Sequence, residues 1–224
     1  MQMGTLYIVA TPIGNLEDIT LRALRILSEV YTVIAEDTRV TKKLLTKHGI
    51  EAVIMSYHTH NHDAVKEKII NKLYRGHSVA LVTDAGTPGV SDPGNRLVAE
   101  AVAHGIPVVP IPGASAVTTL LSVAGINTST YTFLGFIPTK KGRETFFRSL
   151  VHTDIPQVFF ESKHRIMKTL TSLQESLPDT KRVLIGRELT KMHESLYRGT
   201  AKEILTYLQA HEDEQRGEYV LMIY

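Results

Sequence analysis

Along the chain, runs of consecutive apolar residues alternate with stretches whose apolar positions recur every three or four residues. The short runs at Leu6–Ala10, Tyr31–Ala35, Val53–Met55, Ser78–Val82 and Val108-Val109 predict buried strands. Between them, Ala23, Leu24, Ile26, Leu27 and Val30 keep helical spacing within a helix expected over Ile19–Val30. Thr38 is placed to cap a second helix running to Lys47, and Val65, Ile69, Ile70 and Leu73 mark a third. A fourth is expected over residues 93–104, with Asp92 as its cap, Pro93 at its first position and Gly105 as its left-handed stop. Strand and helix in strict alternation demand a mostly parallel sheet with right-handed crossovers and helices on both faces.

Pro107, Pro110 and Pro112-Gly113 then interrupt the pattern, which places a domain boundary between residues 1–112 and 113–224. Small apolar residues from Ala114 to Leu121 suit a helix packed closely on a sheet. Beyond them strands are expected at 131–136, 156–160, 181–185, 194–198 and 218–224, with helices at about 141–150, 163–176 and 201–210. Thr200-x-x-Glu203 is a capping box for the last helix. Hairpin-like spacing near the end predicts a mixed second sheet. The fold class is α/β in two domains.

Composition narrows the setting. The 224 residues are 43% hydrophobic and 21% charged, enough for real cores. There is no cysteine, which excludes disulfides and thiolate metal sites. The chain enters a strand pattern at once, without a leader-like basic and apolar segment, and no apolar run nears the roughly 20 residues that span a bilayer. A cytoplasmic protein without a membrane partner is the expectation. Net charge is +2, but residues 139–211 carry 13 basic against 8 acidic side chains. Lys140, Lys141, Arg143, Arg148, Lys163, Arg165 and Lys168 supply much of that excess, which suits a polyanion as well as a solvated helix face.

The loop Thr83-Asp84-Ala85-Gly86-Thr87-Pro88-Gly89-Val90-Ser91 holds the clearest sign of a ligand. Strand-to-helix loops usually take two to six residues, and this one takes about nine, rich in Gly, Pro, Ser and Thr. Neither G-x-G-x-x-G nor G-x-x-x-x-G-K-[ST] occurs, so a dinucleotide or triphosphate held in the usual ways is not expected. Other polar strand ends are Thr11–Asn15, Glu36-Asp37-Thr38-Arg39, Phe160-Glu161-Ser162 and Arg187-Glu188-Leu189-Thr190-Lys191. In such folds strand ends converge, and a shared cleft between the domains is expected. Glu36, Asp37 and Arg39 suit either helix capping with local ion pairing or function, and Ser115 suits a cap. Tyr57-His58-Thr59-His60-Asn61-His62 permits a metal reading. Three or four ligands with a supporting shell are normally required, so a cleft-lining role for Tyr57 and His58 is preferred and no metal is expected.

Taken in order, Thr11-Pro12-Ile13-Gly14-Asn15, Glu36-Asp37-Thr38-Arg39, Ser56-Tyr57-His58, the 83–94 loop, Pro112-Gly113-Ala114-Ser115, Thr132–Phe136, Phe160-Glu161-Ser162 and Gly186–Lys191 resemble the tetrapyrrole methylase superfamily. Within it they resemble the branch that methylates the ribose 2′-hydroxyl of a cytidine in small-subunit ribosomal RNA. The resemblance spans nearly the whole chain. It departs at Thr83, where the family usually has serine, and at Tyr224, beyond which relatives often continue into a small helical segment that would add RNA contacts.

This resemblance implies S-adenosylmethionine in a cleft between two α/β domains, a homodimer, and small-subunit rRNA or the 30S particle as substrate. It implies Pro12, Asp84, Gly86, Thr87, Val90, Ser115, Ala116, Phe160, Glu161, Glu188 and Leu189 around the cofactor. Glu36, Asp37 and Lys191 are candidates to take the hydroxyl proton, with Arg39 completing the catalytic set. Arg39 and Arg187 would hold flanking phosphates, and Tyr57, His58 and Arg187 would meet the substrate. Two alternatives stay open: a small-molecule tetrapyrrole methyltransferase, and a non-catalytic RNA-binding assembly factor.

Overall fold

The computed structural model describes residues 2–57, 62–91 and 94–224. The chain divides into two compact units, Met1–Ser115 and Ala116–Tyr224.

In the first unit the order is β1 (Leu6–Val9), a 3-10 turn (Leu16–Asp18), α1 (Leu21–Glu29), β2 (Thr32–Ala35), α2 (Thr38–Lys47), β3 (Ile54–Ser56), α3 (His62–Tyr74), β4 (Val79–Leu81), α4 (Asn95–Ala103) and β5 (Val108–Ile111). The five strands lie in the order β3-β2-β4-β1-β5, and every pairing is parallel. Val9, Val33, Ala35, Ala80 and Val82 bury one face of the sheet against Ala23, Ile26 and Leu27 of α1 and Leu44 and Leu45 of α2. Leu6, Ile34, Val79 and Leu81 bury the other face against Ile69 and Leu73 of α3 and Leu97 and Ala101 of α4. The neighbours β2 and β4 therefore feed helices on opposite faces. That is a topological switch point, where the connections part and leave a crevice beyond the strand ends.

Several boundaries differ from the sequence reading for local reasons. Helix α1 begins at Leu21, because the Thr20 hydroxyl accepts the Ala23 N–H at 3.1 Å. In α2 the cap is Asp37, and Thr38 is the first helical residue. Helix α4 starts at Asn95 after Gly94, two residues later than expected, while Asp92 and Pro93 lie outside the described residues.

The second unit runs α5 (Ala116–Ser122), β6 (Thr132–Phe136), α6 (Arg143–Val151), β7 (Gln157–Ser162), α7 (Ile166–Ser176), β8 (Val183–Arg187), β9 (Ser195–Gly199), α8 (Ala201–Ala210), a 3-10 turn (Glu212–Gln215) and β10 (Glu218–Ile223). Its sheet is mixed, in the order β6-β7-β10-β8-β9, with β6 and β7 parallel and the other pairs antiparallel. Phe159, Ile185, Leu221 and Ile223 pack on Phe147, Leu170, Leu173, Ile204 and Leu208 from α6, α7 and α8. Helix α5 packs on β10. The Thr200 capping box forms as expected: the Thr200 N–H reaches Glu203 Oε2 at 2.7 Å, and the Glu203 N–H reaches Thr200 Oγ1 at 3.2 Å. Since β7 and β8 both oppose β10, the strands β6, β7 and β8 end at the same end of this sheet.

Two glycines of the first unit allow a stability comparison. Gly94 has φ +139°, and an added Cβ would lie 3.0 Å from Leu81 Cδ2, whereas Gly105 at φ +65° faces open space. Gly105→Ala is expected to cost about 1 kcal/mol, the left-handed penalty alone, and Gly94→Ala measurably more. Urea denaturation of the two variants checks the order.

Candidate active site

The crevice beyond β2 and β4 is framed by hydrogen bonds between residues just past the strands. The Asp37 N–H donates to Asp84 Oδ1 at 3.0 Å, and the Thr83 hydroxyl donates to Glu36 Oε2 at 3.3 Å. On the other side of β4, Thr11 pairs with Gly86 through both backbone groups, at 2.9 and 3.1 Å. The buried Thr11 hydroxyl also donates to the Thr83 carbonyl at 3.0 Å. Strand topology brings Thr11, Glu36, Asp37, Thr83, Asp84 and Gly86 together, although they are spread over more than 70 positions of sequence. The structural parts of Thr11 and Thr83 escaped the sequence reading. Their only signal was a hydroxyl placed directly after a strand.

Asp37 and Arg39 form a closed pair. Oδ2 lies 2.6 Å from Arg39 Nη2, Nε contacts both oxygens, and Oδ1 also accepts the Arg39 N–H at 2.8 Å as the helix cap. These hydrogen bonds, led by the guanidinium, hold the Asp37 carboxyl down at about 2. A carboxylate that weakly basic is poorly suited to accept a hydroxyl proton. The Arg39 side chain is otherwise 89% exposed, leaving its outer face open to a phosphate. Glu36 takes part in no ion pair among the described residues.

The 83–91 loop shows a buried Gly86, a half-buried Thr87, and exposed Asp84, Ala85 and Val90. Val90 N–H closes a turn on the Thr87 carbonyl at 3.3 Å. Ser91 stands at φ +64°, a left-handed conformation that a non-glycine residue adopts at a cost and that is common at ligand-holding loops. Pro12 is buried beside Thr11, and Ser115 immediately precedes α5, whose first residue is Ala116. Acidic side chains next to small residues and accessible backbone suit a cationic ligand. Among the described residues no group of three or more His, Cys, Asp or Glu could hold a metal ion. No helix among them is long and apolar enough to cross a membrane.

Other candidates have structural positions that alter their reading. Tyr57 is 1% exposed and packs in the core with Ile34, Ile69 and Leu97, so it is not a surface substrate contact. His58 lies outside the described residues. Arg187 is buried, and its guanidinium donates to three backbone carbonyls: Arg216 at 2.7 Å, His193 at 3.1 Å and Asp213 at 3.3 Å. It ties the loop after β8 to the segment before β10 instead of presenting itself to a phosphate. Glu161 is 2% exposed. Its oxygens accept Arg165 at 2.8 Å, the Ser162 N–H at 2.7 Å and the Thr169 hydroxyl at 2.6 Å, with Arg143 at 3.9 Å, so its side chain is engaged in the interior of the second unit. Phe160 is half-buried between Phe133 and Phe136.

The 188–191 loop is strained and tied down. Glu188 and Thr190 have φ of +50° and +67°. Lys191 Nζ donates to Glu188 at 3.1 Å and to Glu218 at 2.8 Å. Burial alone would lower the lysine's pKa, but these carboxylates outweigh it and raise it, which favours the ammonium form. Leu189 is buried and folds back over Gly186.

A parallel doubly wound unit followed by a mixed-sheet unit is the architecture of a methyltransferase class already seen in solved structures. The chain superimposes on the uroporphyrin-III-C-methyltransferase from Thermus thermophilus with a TM-score of 0.67 at 18% identity, covering 98% of this chain and 94% of that one. A cobalt precorrin-4 methyltransferase matches with a TM-score of 0.69 at 17% identity, covering 97% and 94%. Residues 5–205 match the tetrapyrrole (corrin/porphyrin) methylases, and the chain belongs to that family. Among curated relatives, the ribosomal RNA small subunit methyltransferase I of Neisseria meningitidis serogroup B is 47% identical over 222 residues, 99% of this chain and 76% of the relative. The proteins of the same name from Halalkalibacterium halodurans and Escherichia coli O157:H7 are 45% and 41% identical, each over 98% of this chain and 75% and 77% of their own length.

Two measurements check this electrostatic picture. NMR titration of Asp37 should give a midpoint of about 2, and Arg39→Ala should return it toward the ordinary 3.8. Because the folded value is depressed, the pair adds stability that is present above the ordinary value and lost as pH falls through about 2. Arg187→Lys should lower the free energy of unfolding by about 2 kcal/mol, since one ammonium cannot serve three carbonyls. Urea denaturation reads it, and a loss of under about 0.5 kcal/mol would contradict the clamp.

Proposed function

We propose that this protein is an S-adenosylmethionine-dependent methyltransferase that modifies the ribose 2′-hydroxyl of a cytidine in small-subunit rRNA. The observation that carries this reading is the near-full-length similarity, at 41–47% identity, to relatives named for that RNA. The acid-lined crevice of the first unit supports it chemically. Small-molecule tetrapyrrole methylation is less well supported, because the structures of that kind share only 17–18% identity with this chain. Action in the cytoplasm, and as a homodimer measurable by light scattering, belongs to the same reading.

The cofactor fits the residues present. Asp84 offers negative charge to the cofactor's cationic groups, while Pro12, Gly86, Thr87, Val90 and Ser115 supply small side chains and backbone groups. When bound, S-adenosylmethionine supplies the methyl group. The protein's task is then to align the ribose oxygen for in-line attack, exclude water and remove one proton. Glu36 is the proton acceptor: Asp37 is held by Arg39 and Lys191 is a bound ammonium, whereas Glu36 accepts the Thr83 hydroxyl and takes part in no ion pair among the described residues. The Thr83 hydroxyl orients the Glu36 carboxylate. Arg39, anchored by Asp37, directs its exposed guanidinium to an RNA phosphate.

Tritiated cofactor and small ribosomal subunits from a strain lacking the gene test the reading, with the modified position found by primer extension. Transfer of label to a cytidine ribose is expected. Glu36→Gln should lower turnover on the order of 10²–10⁴-fold while cofactor affinity measured by calorimetry stays within about twofold. Full turnover in that variant would remove Glu36 from its role.

A further inference from the structure

In the second unit, the loops after β6 and β7 are held side by side by one buried carboxylate. Arg143, the first residue of α6, and Arg165, just before α7, both face Glu161. Arg165 also donates to the Ile137 carbonyl at 2.9 Å, and Arg143 to the Thr169 hydroxyl at 3.0 Å. Desolvating three charges is costly and adds little net stability, but it fixes geometry. The result is a rigid frame at the sheet end that also carries the 188–191 loop.

On this frame stand Lys140 and Lys141 from the first loop and Lys163 and Lys168 from the second loop and α7, all exposed. None of the four is in an ion pair among the described residues. Nearby acids are engaged elsewhere: Glu144 pairs with Arg148, Glu161 is buried, and Glu188 and Glu218 bind Lys191. Four residues before Lys140, at the end of β6, Phe136 is 53% exposed and leans on Phe160 with ring centroids 5.2 Å apart. A bulge between Phe133 and Phe136 brings both rings onto Phe160. Lysines held together without counter-charges repel one another, and a polyanion relieves that repulsion. Such lysines with an exposed, braced aromatic ring match the combination by which single-stranded nucleic acids are held: phosphates on cations and a base on a π face.

We propose that Lys140, Lys141, Lys163, Lys168 and Phe136 form a docking surface for a single-stranded segment of the RNA substrate. The proposal rests on the rRNA reading above. It assigns the lysines to backbone phosphates and Phe136 to one unstacked base.

The test uses the full chain and a fluorescein-labelled single-stranded oligocytidylate, with anisotropy followed as salt is varied. In the Lys140→Gln/Lys141→Gln/Lys163→Gln/Lys168→Gln protein, the slope of log K against log salt should shrink by about 3, at roughly 0.7 per phosphate contact. Phe136→Ala should weaken binding about tenfold and leave that slope unchanged, since stacking releases no counterions. Cofactor affinity by calorimetry should not move in either variant, and it also reports that the fold is intact. KM for small subunits should rise with kcat preserved. An unchanged slope in a wild-type-like enzyme that still methylates rRNA would overturn the surface and leave the function standing. Wild-type protein that neither methylates subunits nor binds the oligonucleotide would overturn both. Unchanged RNA binding with loss of self-association would assign this face to a protein contact instead.

Discussion

Two hydrogen bonds across the gap between adjacent strands organise the first unit's chemistry. The Asp37 amide binds Asp84, and the Thr83 hydroxyl binds Glu36. Strands β2 and β4 send their helices to opposite faces, so nothing in the connections themselves holds their ends in register beyond the sheet. These contacts do so, and they bring carboxylates together that would otherwise repel. Thr11 extends the tie to β1 through its hydroxyl and its backbone pairing with Gly86. The 83–91 loop, with its left-handed Ser91, is fixed at its start by that same set of bonds.

Charge is separated with some economy. Several acids and bases near the strand ends have one of two fates. Some are closed into pairs that build structure: Asp37 with Arg39, Glu161 with Arg165, and Lys191 with Glu188 and Glu218. The rest stay open, with Glu36 and Asp84 in the first unit and four lysines in the second. The closed pairs set positions, and the open groups are where a cation and a polyanion respectively find complementary charge.

Much of the fold was legible from the sequence because its local signals agree. Short apolar runs, the capping box at Thr200 and a glycine stop at Gly105 all point to the same elements. The polar loops after β1, β2 and β4 were equally legible, since turn chemistry and a strand-to-helix switch mark them locally. What could not be seen were partners distant in the chain. Arg187 looks like a surface cation until Asp213 and Arg216 fold back onto it, and Glu161 until Thr169 and Arg143 enclose it. Tyr57 follows a strand and borders a polar stretch, yet α3 and α4 cover it. At Asp37 the choice between cap and base depended on the position of one guanidinium, which no spacing rule supplies.

The measurement closest to the central claim is a crystal structure of the protein soaked with S-adenosylhomocysteine, the demethylated product. Density for the product against Glu36, Asp84 and the Gly86–Val90 backbone is the result this account predicts. Density confined to the second unit, or an unaltered first-unit crevice in crystals of a protein that binds the compound in solution, would contradict it.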